Sequence, residues 1–341
     1  MSDTTEAEAP APQAPVPLRP LKTWSHLAGQ RRRPSEYEIV STKLLWHARG
    51  SENIWEVGGP QGFMSEWYTQ HRDNSPVQHE DWDRFRDPDE LVYRTYNILQ
   101  DGQETYVDGL LEQYAGENHD AGLSDAWVTT LAQLYTPGRY LLHTVQMASS
   151  YLVHIPPAST IGNCAGFQAA DAFRWVSRTA YRTRELANAH PGAGFGENER
   201  RLWEELGAWQ GFRELMEKAL VAYDWAEAFL ALNVVAKPAI DEAWLRQFAV
   251  SARRSNDTLL ALLADAALRD SERSRRWTAA LVEMMLLAGN QDILEGWLAK
   301  WTPLGEAAVS AFCAELPENP EATETAVERM RAFRSQLGFK E

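Results

Sequence analysis

The chain has 341 residues, 44% of them hydrophobic and 24% charged, and a net charge of −15 at pH 7 with His counted neutral. That charge weighs against nucleic acid as a partner, because a phosphate backbone recruits proteins through clustered Lys and Arg. No apolar run approaches the ~18 residues of a membrane span, and the acidic start MSDTTEAEAP lacks the basic and apolar regions of an export signal, so no membrane and a cytoplasmic location are expected.

Residues 1–21 form a Pro, Ala and acid segment, EAEAPAPQAPVPLRP, unable to bury enough apolar surface to order alone, and are expected to be a disordered or adherent arm. Residues 22–88 mix short helical pieces with turn formers such as GGPQG and RDNSP, and read as an extended segment laid over another surface. Many of the 14 tryptophans fall here, outside helical stripes: Trp24, Trp46, Trp55, Trp67 and Trp82. They fit aromatic anchors at subunit contacts, the alternative being staples onto the chain's own core. The basic run Arg31, Arg32 and Arg33 reads either as a grip on an acidic protein surface or as a solvated loop.

From residue 89 to 301 the pattern changes to long helices separated by short breaks. Asp87 as an N-cap and Pro88 at the first helical position predict a helix opening DPDELVYRTYNILQDGQE. Further helices are predicted over 120–135, 137–155 and 159–189. Gly192, Gly194 and Gly196 then follow a helix instead of a strand and lack the Lys-Ser/Thr of a phosphate loop, so they mark a helix–helix turn. Helices over 197–206, 210–237, 240–255 and 257–288 follow, the last stopped by Gly289, and then shorter ones over 293–301, 303–315 and 321–337. Residues 302–341 form the C-terminal helices. Cys164 and Cys313 lie far apart without partners at zinc-binding spacing, and read as reduced thiols. With strand signals almost absent and no repeat of fixed period, the fold class is all-α, a bundle of long helices.

Two helices carry matching charged motifs. In the first, Ile161, Cys164, Gln168, Ala172, Trp175 and Thr179 recur at 3,4 spacing; in the second, Leu260, Leu263, Ala267, Ser271, Ser274, Thr278, Leu281 and Met285 do so. Beside each stripe stands an Asp-x-x-Arg pair, Asp171 with Arg174 and Asp270 with Arg273. Four-helix di-iron sites place Glu-x-x-His on each of two helices and one further Glu on each of the others, because i,i+3 spacing aims both ligands inward. No such motif occurs here: the residues three before the eight histidines are Thr, Leu, Tyr, Pro, Gly, Tyr, Tyr and Ala.

The stretches TWSHLAGQRRRPSEYEIVSTKL, DPDELVYRTYNILQDGQE, PASTIGNC, TAYRTRELA, WQGFRELMEKALVAYDWAEAF and NDTLLALLADAALRDSERSRRW resemble the β subunit of the hydroxylase component of bacterial multicomponent alkene and aromatic monooxygenases. The resemblance covers residues 22 to about 301. In soluble di-iron monooxygenases a ligand block reads Asp-Glu-x-Arg-His; here the frame persists as Asp171-Ala172-Phe173-Arg174-Trp175 and Asp270-Ser271-Glu272-Arg273-Ser274. Ala172, Trp175, Ser271 and Ser274 therefore stand at vestigial ligand positions. The resemblance implies a ferritin-like bundle without metal or catalytic residues, with an extended N-terminal arm. It also implies assembly with α and γ subunits as a dimer of αβγ trimers. The di-iron centre then lies in α, and NADH supplies electrons through a reductase and a Rieske-type ferredoxin, with FAD and 2Fe-2S in those partners. An effector protein is a further expected partner. The oxidised substrate is a short-chain alkene, favoured on overall likeness, or a toluene-like aromatic. Asp171, Arg174, Asp270 and Arg273 are expected to form an ion-pair network between the two helices, the alternative being exposed intrahelical bridges. The alternative to the subunit role is a stand-alone helical binding protein.

Overall fold

The computed structural model describes residues 34–42 and 63–340; the predicted N-terminal arm, Trp24, Arg31, Arg32, Arg33, Trp46 and Trp55 lie outside them. The described residues are helical, with no strand among them. Helix α1 (Glu36–Ser41) starts at a capping box, in which the Glu38 amide donates to Ser35 Oγ at 3.2 Å and the Ser35 amide to Glu38 Oε2 at 2.7 Å. Helix α2 (Phe63–Tyr68) runs into a π turn (Thr69–Asp73). Then come α3 (Tyr93–Gly116), α4 (Asp125–Thr130, extended by a π turn to Tyr135), α5 (Gly138–His154) and α6 (Ser159–Ala189). Next are α7 (Glu199–Glu205), α8 (Gly207–Ala219), α9 (residues 225–254), α10 (Thr258–Leu287), α11 (Gln291–Cys313) and α12 (Ala322–Gln336). No helix among the described residues is long and apolar enough to cross a membrane.

Four helix limits differ from those the sequence predicts. Asp87 caps no helix: its carboxylate accepts the amides of Asp89 (3.0 Å) and Leu91 (3.1 Å) in a turn, and α3 begins only at Tyr93. The helix predicted over 210–237 breaks after Ala219 and restarts at Asp224, whose carboxylate accepts the amides of Ala226 (2.9 Å) and Glu227 (3.1 Å). The break predicted at Lys237-Pro238 does not exist. Pro238 sits between π turns at Leu230–Ala236 and Asp241–Gln247, whose wider hydrogen-bond spacing accommodates the amide that proline lacks. Pro303 likewise lies inside α11, so the boundary drawn at 301/302 falls within one continuous helix.

The core is one continuous cluster in which α5, α6, α9 and α10 form the central bundle. Backbones approach closely where glycine permits it. A Cβ on Gly162 would sit 2.9 Å from the Val153 carbonyl oxygen, fixing the α5–α6 hairpin, and one on Gly211 of α8 would sit 2.6 Å from Ala308 Cα of α11. Trp209 and Phe212 of α8, Phe312 of α11 and Phe248 of α9, all fully buried, meet tilted or edge-on at 5.1–6.3 Å between centroids and bind the C-terminal helices to the bundle.

Candidate functional site

The stripes on α6 and α10 face each other across the bundle, and every residue assigned to them is buried. Ala172, Trp175, Ser271 and Ser274 consequently line one small cavity of about 40 Å³, closed by Leu142 and Val145 of α5 and by Lys237 and Asp241 of α9. All four central helices meet there. A single benzene ring needs a cavity of about 150 Å³, so no aromatic substrate fits.

The two charged motifs exchange partners across the helices. Arg273 donates to Asp171 Oδ2 and Arg174 to Asp270 Oδ2, while Arg273 stands 3.4 Å from Asp270 Oδ1 within its own helix. Asp171, Asp270 and Arg273 are 4–7% exposed, which rules out a solvated bridge. Each carboxylate is surrounded by donors. Asp171 Oδ1 accepts from Tyr96 Oη and Gln100 Nε2, both at 2.8 Å; Asp270 accepts from Trp175 Nε1 at 2.9 Å and from Gln100 Nε2 at 3.1 Å. Burial, and then the neighbouring charge of Asp270, push the Asp171 carboxyl up to about 6 against the pull of Arg273 and Tyr96.

Tyr96, Gln100 and Glu104 of α3 were not singled out in the sequence, yet they complete this network. Glu104 accepts from Arg174 at 2.7 Å and from Arg178, which also reaches Asp108. Their only sequence signal is an i,i+4 row of polar residues on α3, a pattern shared with ordinary solvated faces.

A carboxylate-bridged metal centre requires carboxylate and imidazole donors from facing helices. Ala172 supplies none. Trp175 Nε1 and Ser271 Oγ are spent as donors to Asp270 (2.9 Å) and Asp241 (2.7 Å), and Ser274 Oγ donates to the Asp270 carbonyl. Lys237 brings a positive charge to the same wall, its Nζ 3.8 Å from Asp241 Oδ1 and 3.5 Å from Ser271 Oγ. The residues present do not fit a metal centre. Among the described residues no group of three His, Cys, Asp or Glu is arranged to hold a metal ion.

Of the tryptophans read as contact anchors, the two described ones are used at least partly within the chain. Trp67 Nε1 donates to Tyr151 Oη at 3.1 Å, and its ring lies among Phe63, His71 and Tyr223 at 4.4–5.6 Å. Trp82 meets buried Trp225 edge-on at 4.9 Å. Phe63 is nonetheless 70% exposed and Tyr223 42%, leaving an aromatic surface beside α2. Gly192, Gly194 and Gly196 all have positive φ in the turn between α6 and α7, and the Gly196 amide donates to Glu199 Oε1.

An all-helical bundle whose centre is filled by charges paired across two long helices is a ferritin-like fold of the hydroxylase kind. The chain belongs to the methane/phenol/alkene hydroxylase family, whose model matches residues 67–288. It is 49% identical over 299 residues to the hydroxylase component subunit beta of the toluene-4-monooxygenase system of Ectopseudomonas mendocina, covering 87% of this chain and 91% of that protein. The phenol 2-monooxygenase oxygenase component DmpL of Pseudomonas sp. (strain CF600) is 24% identical, covering 80% of this chain and 82% of that protein. Among solved structures, the toluene-bound resting toluene 4-monooxygenase contains a chain 49% identical to this one, with a TM-score of 0.83 over 88% of this chain and 98% of that one. The phenol hydroxylase from Pseudomonas sp. OX1 shares the fold, with a TM-score of 0.79 at 16% identity over 98% of this chain and 99% of that one.

Proposed function

We propose that this chain is the noncatalytic β subunit of the oxygenase component of a multicomponent monooxygenase. The observation that carries the reading is the bundle centre, where Asp171, Arg174, Asp270 and Arg273 pair across α6 and α10; in this reading Ala172, Trp175, Ser271 and Ser274 beside them are former ligand positions. The chain's 49% identity to a toluene-4-monooxygenase hydroxylase β subunit over 87% of its length supports the same role. Oxidation then takes place in a partner α subunit that holds the di-iron centre, with γ completing a dimer of αβγ trimers. Electrons come from NADH through a reductase and a Rieske-type ferredoxin, and an effector protein regulates the complex in the cytoplasm. That identity favours an aromatic hydrocarbon as substrate over a short alkene.

In this reading the segment before residue 63, with Trp24, Arg31, Arg32, Arg33, Trp46 and Trp55, supplies contacts to α, continued by exposed Phe63 and Tyr223. Native mass spectrometry of the chain co-expressed with the other oxygenase genes tests the assembly. An (αβγ)₂ mass supports the proposal; a free, monodisperse chain beside an assembled α and γ contradicts it.

A further inference from the structure

The polar side chains around the cavity leave one feature that loss of the metal ligands does not by itself explain. Once Ala172, Ser271 and Ser274 stand in place of ligands, an apolar residue on α9 would close the space at least cost, as Leu142 and Val145 do from α5. Instead α9 presents Lys237, with only 14% of its side chain exposed. It faces Asp241, which is 1% exposed and also accepts from Ser271 and Arg275. The α9 backbone carries π turns on both sides of Lys237, a distortion that re-aims side chains along a helix. The Gln168 side-chain oxygen, which lines the same cavity from α6 and is 3% exposed, has no hydrogen-bond partner among the described residues.

We propose that the Lys237 ammonium takes the electrostatic place of the metal: an internal cation, fixed to the chain, that joins Arg275 in neutralising Asp241 and keeps the remodelled centre folded. The site is then a built-in cation site, and its ligand is the protein's own side chain. Lys237 is a positioning residue without a role at a reacting atom. The proposal is independent of which hydrocarbon the assembled enzyme oxidises.

Hydrogen exchange by mass spectrometry on the assembled oxygenase, read on peptides covering 230–247 and 264–278, tests it. Lys237→Met removes the charge and keeps the length, and exchange in these peptides should rise about tenfold or more, the size of a partner-loss effect at a buried ion pair. Lys237→Met with Asp241→Asn removes both charges and should return exchange to within about threefold of wild type. Wild-type exchange in Lys237→Met overturns the proposal, as does a double variant no better than the single one. If Lys237→Met fails to assemble, assembly of the double variant supports the proposal and its failure overturns it.

Discussion

Arg273 donates to the carboxylate of Asp171 at the bundle centre, and both side chains are less than a tenth exposed. A pair in that setting adds little net stability over well-packed apolar residues, but one partner left alone is expensive. Asp171→Ala is therefore expected to cost roughly 3 to 5 kcal/mol in urea unfolding of the full chain, with hydrocarbon oxidation per assembled complex unchanged. The same residue sets a pH dependence. Its carboxyl ionises at about 6 in the folded chain against 3.8 in the unfolded one. A group whose folded value is raised contributes stability that is complete below about pH 4 and lost as pH rises through 6. The stability gap between wild type and Asp171→Asn should therefore widen as pH falls from 7 to 4.5; a gap that stays constant contradicts the assigned shift.

At the scale of helices, Asp257 joins α10 to the connection between α3 and α4. Its carboxylate accepts from Trp127 Nε1 (2.9 Å), the Leu260 amide (2.9 Å) and His119 (3.2 Å). Burial alone would raise this carboxyl, but those hydrogen bonds hold it below its ordinary value, so its stabilisation is present above about pH 4 and lost on further acidification. Asp257→Ala loses an N-cap and strands a buried indole, an expected cost of about 2 to 4 kcal/mol in thermal unfolding. Gly211→Val drives a side chain into the Ala308 backbone and should separate α8 from α11, lowering stability by about 1 to 3 kcal/mol or more. Most helices were legible in the sequence because apolar periodicity and caps agree, as at Asp257 for α10 and Ala189 for the end of α6. The breaks drawn at Pro238 and Pro303 are absent because the helix runs on through each missing amide, at Pro238 between two π turns, which no local pattern reveals. The stripes on α6 and α10 showed which residues face the centre. The contributions of Tyr96, Gln100 and Lys237 were not legible, because they depend on how α3 and α9 lie against those stripes.

On the scale of the whole molecule, one core joins the helices from α3 to α12. Its central cavity is too small for an aromatic ring, and the carboxylates that line it, Asp171, Asp241 and Asp270, are engaged by Arg273, Arg275 and Arg174, so the surfaces left for partners lie outside the bundle centre. The exposed side chains Phe63, Tyr93, Ile98, Phe173 and Tyr181 are available for that purpose. Arg329 of α12 reaches Glu242 of α9 at 2.9 Å, so the C-terminal helix is tied to the same element that carries Lys237. Iron content and mass, determined on the chain expressed alone and then with its neighbouring oxygenase genes, test the central claim most directly. The account predicts an iron-free chain without NADH-dependent oxidation in the first preparation, and an iron-containing αβγ complex in the second. Stoichiometric iron or hydrocarbon oxidation by the isolated chain contradicts it.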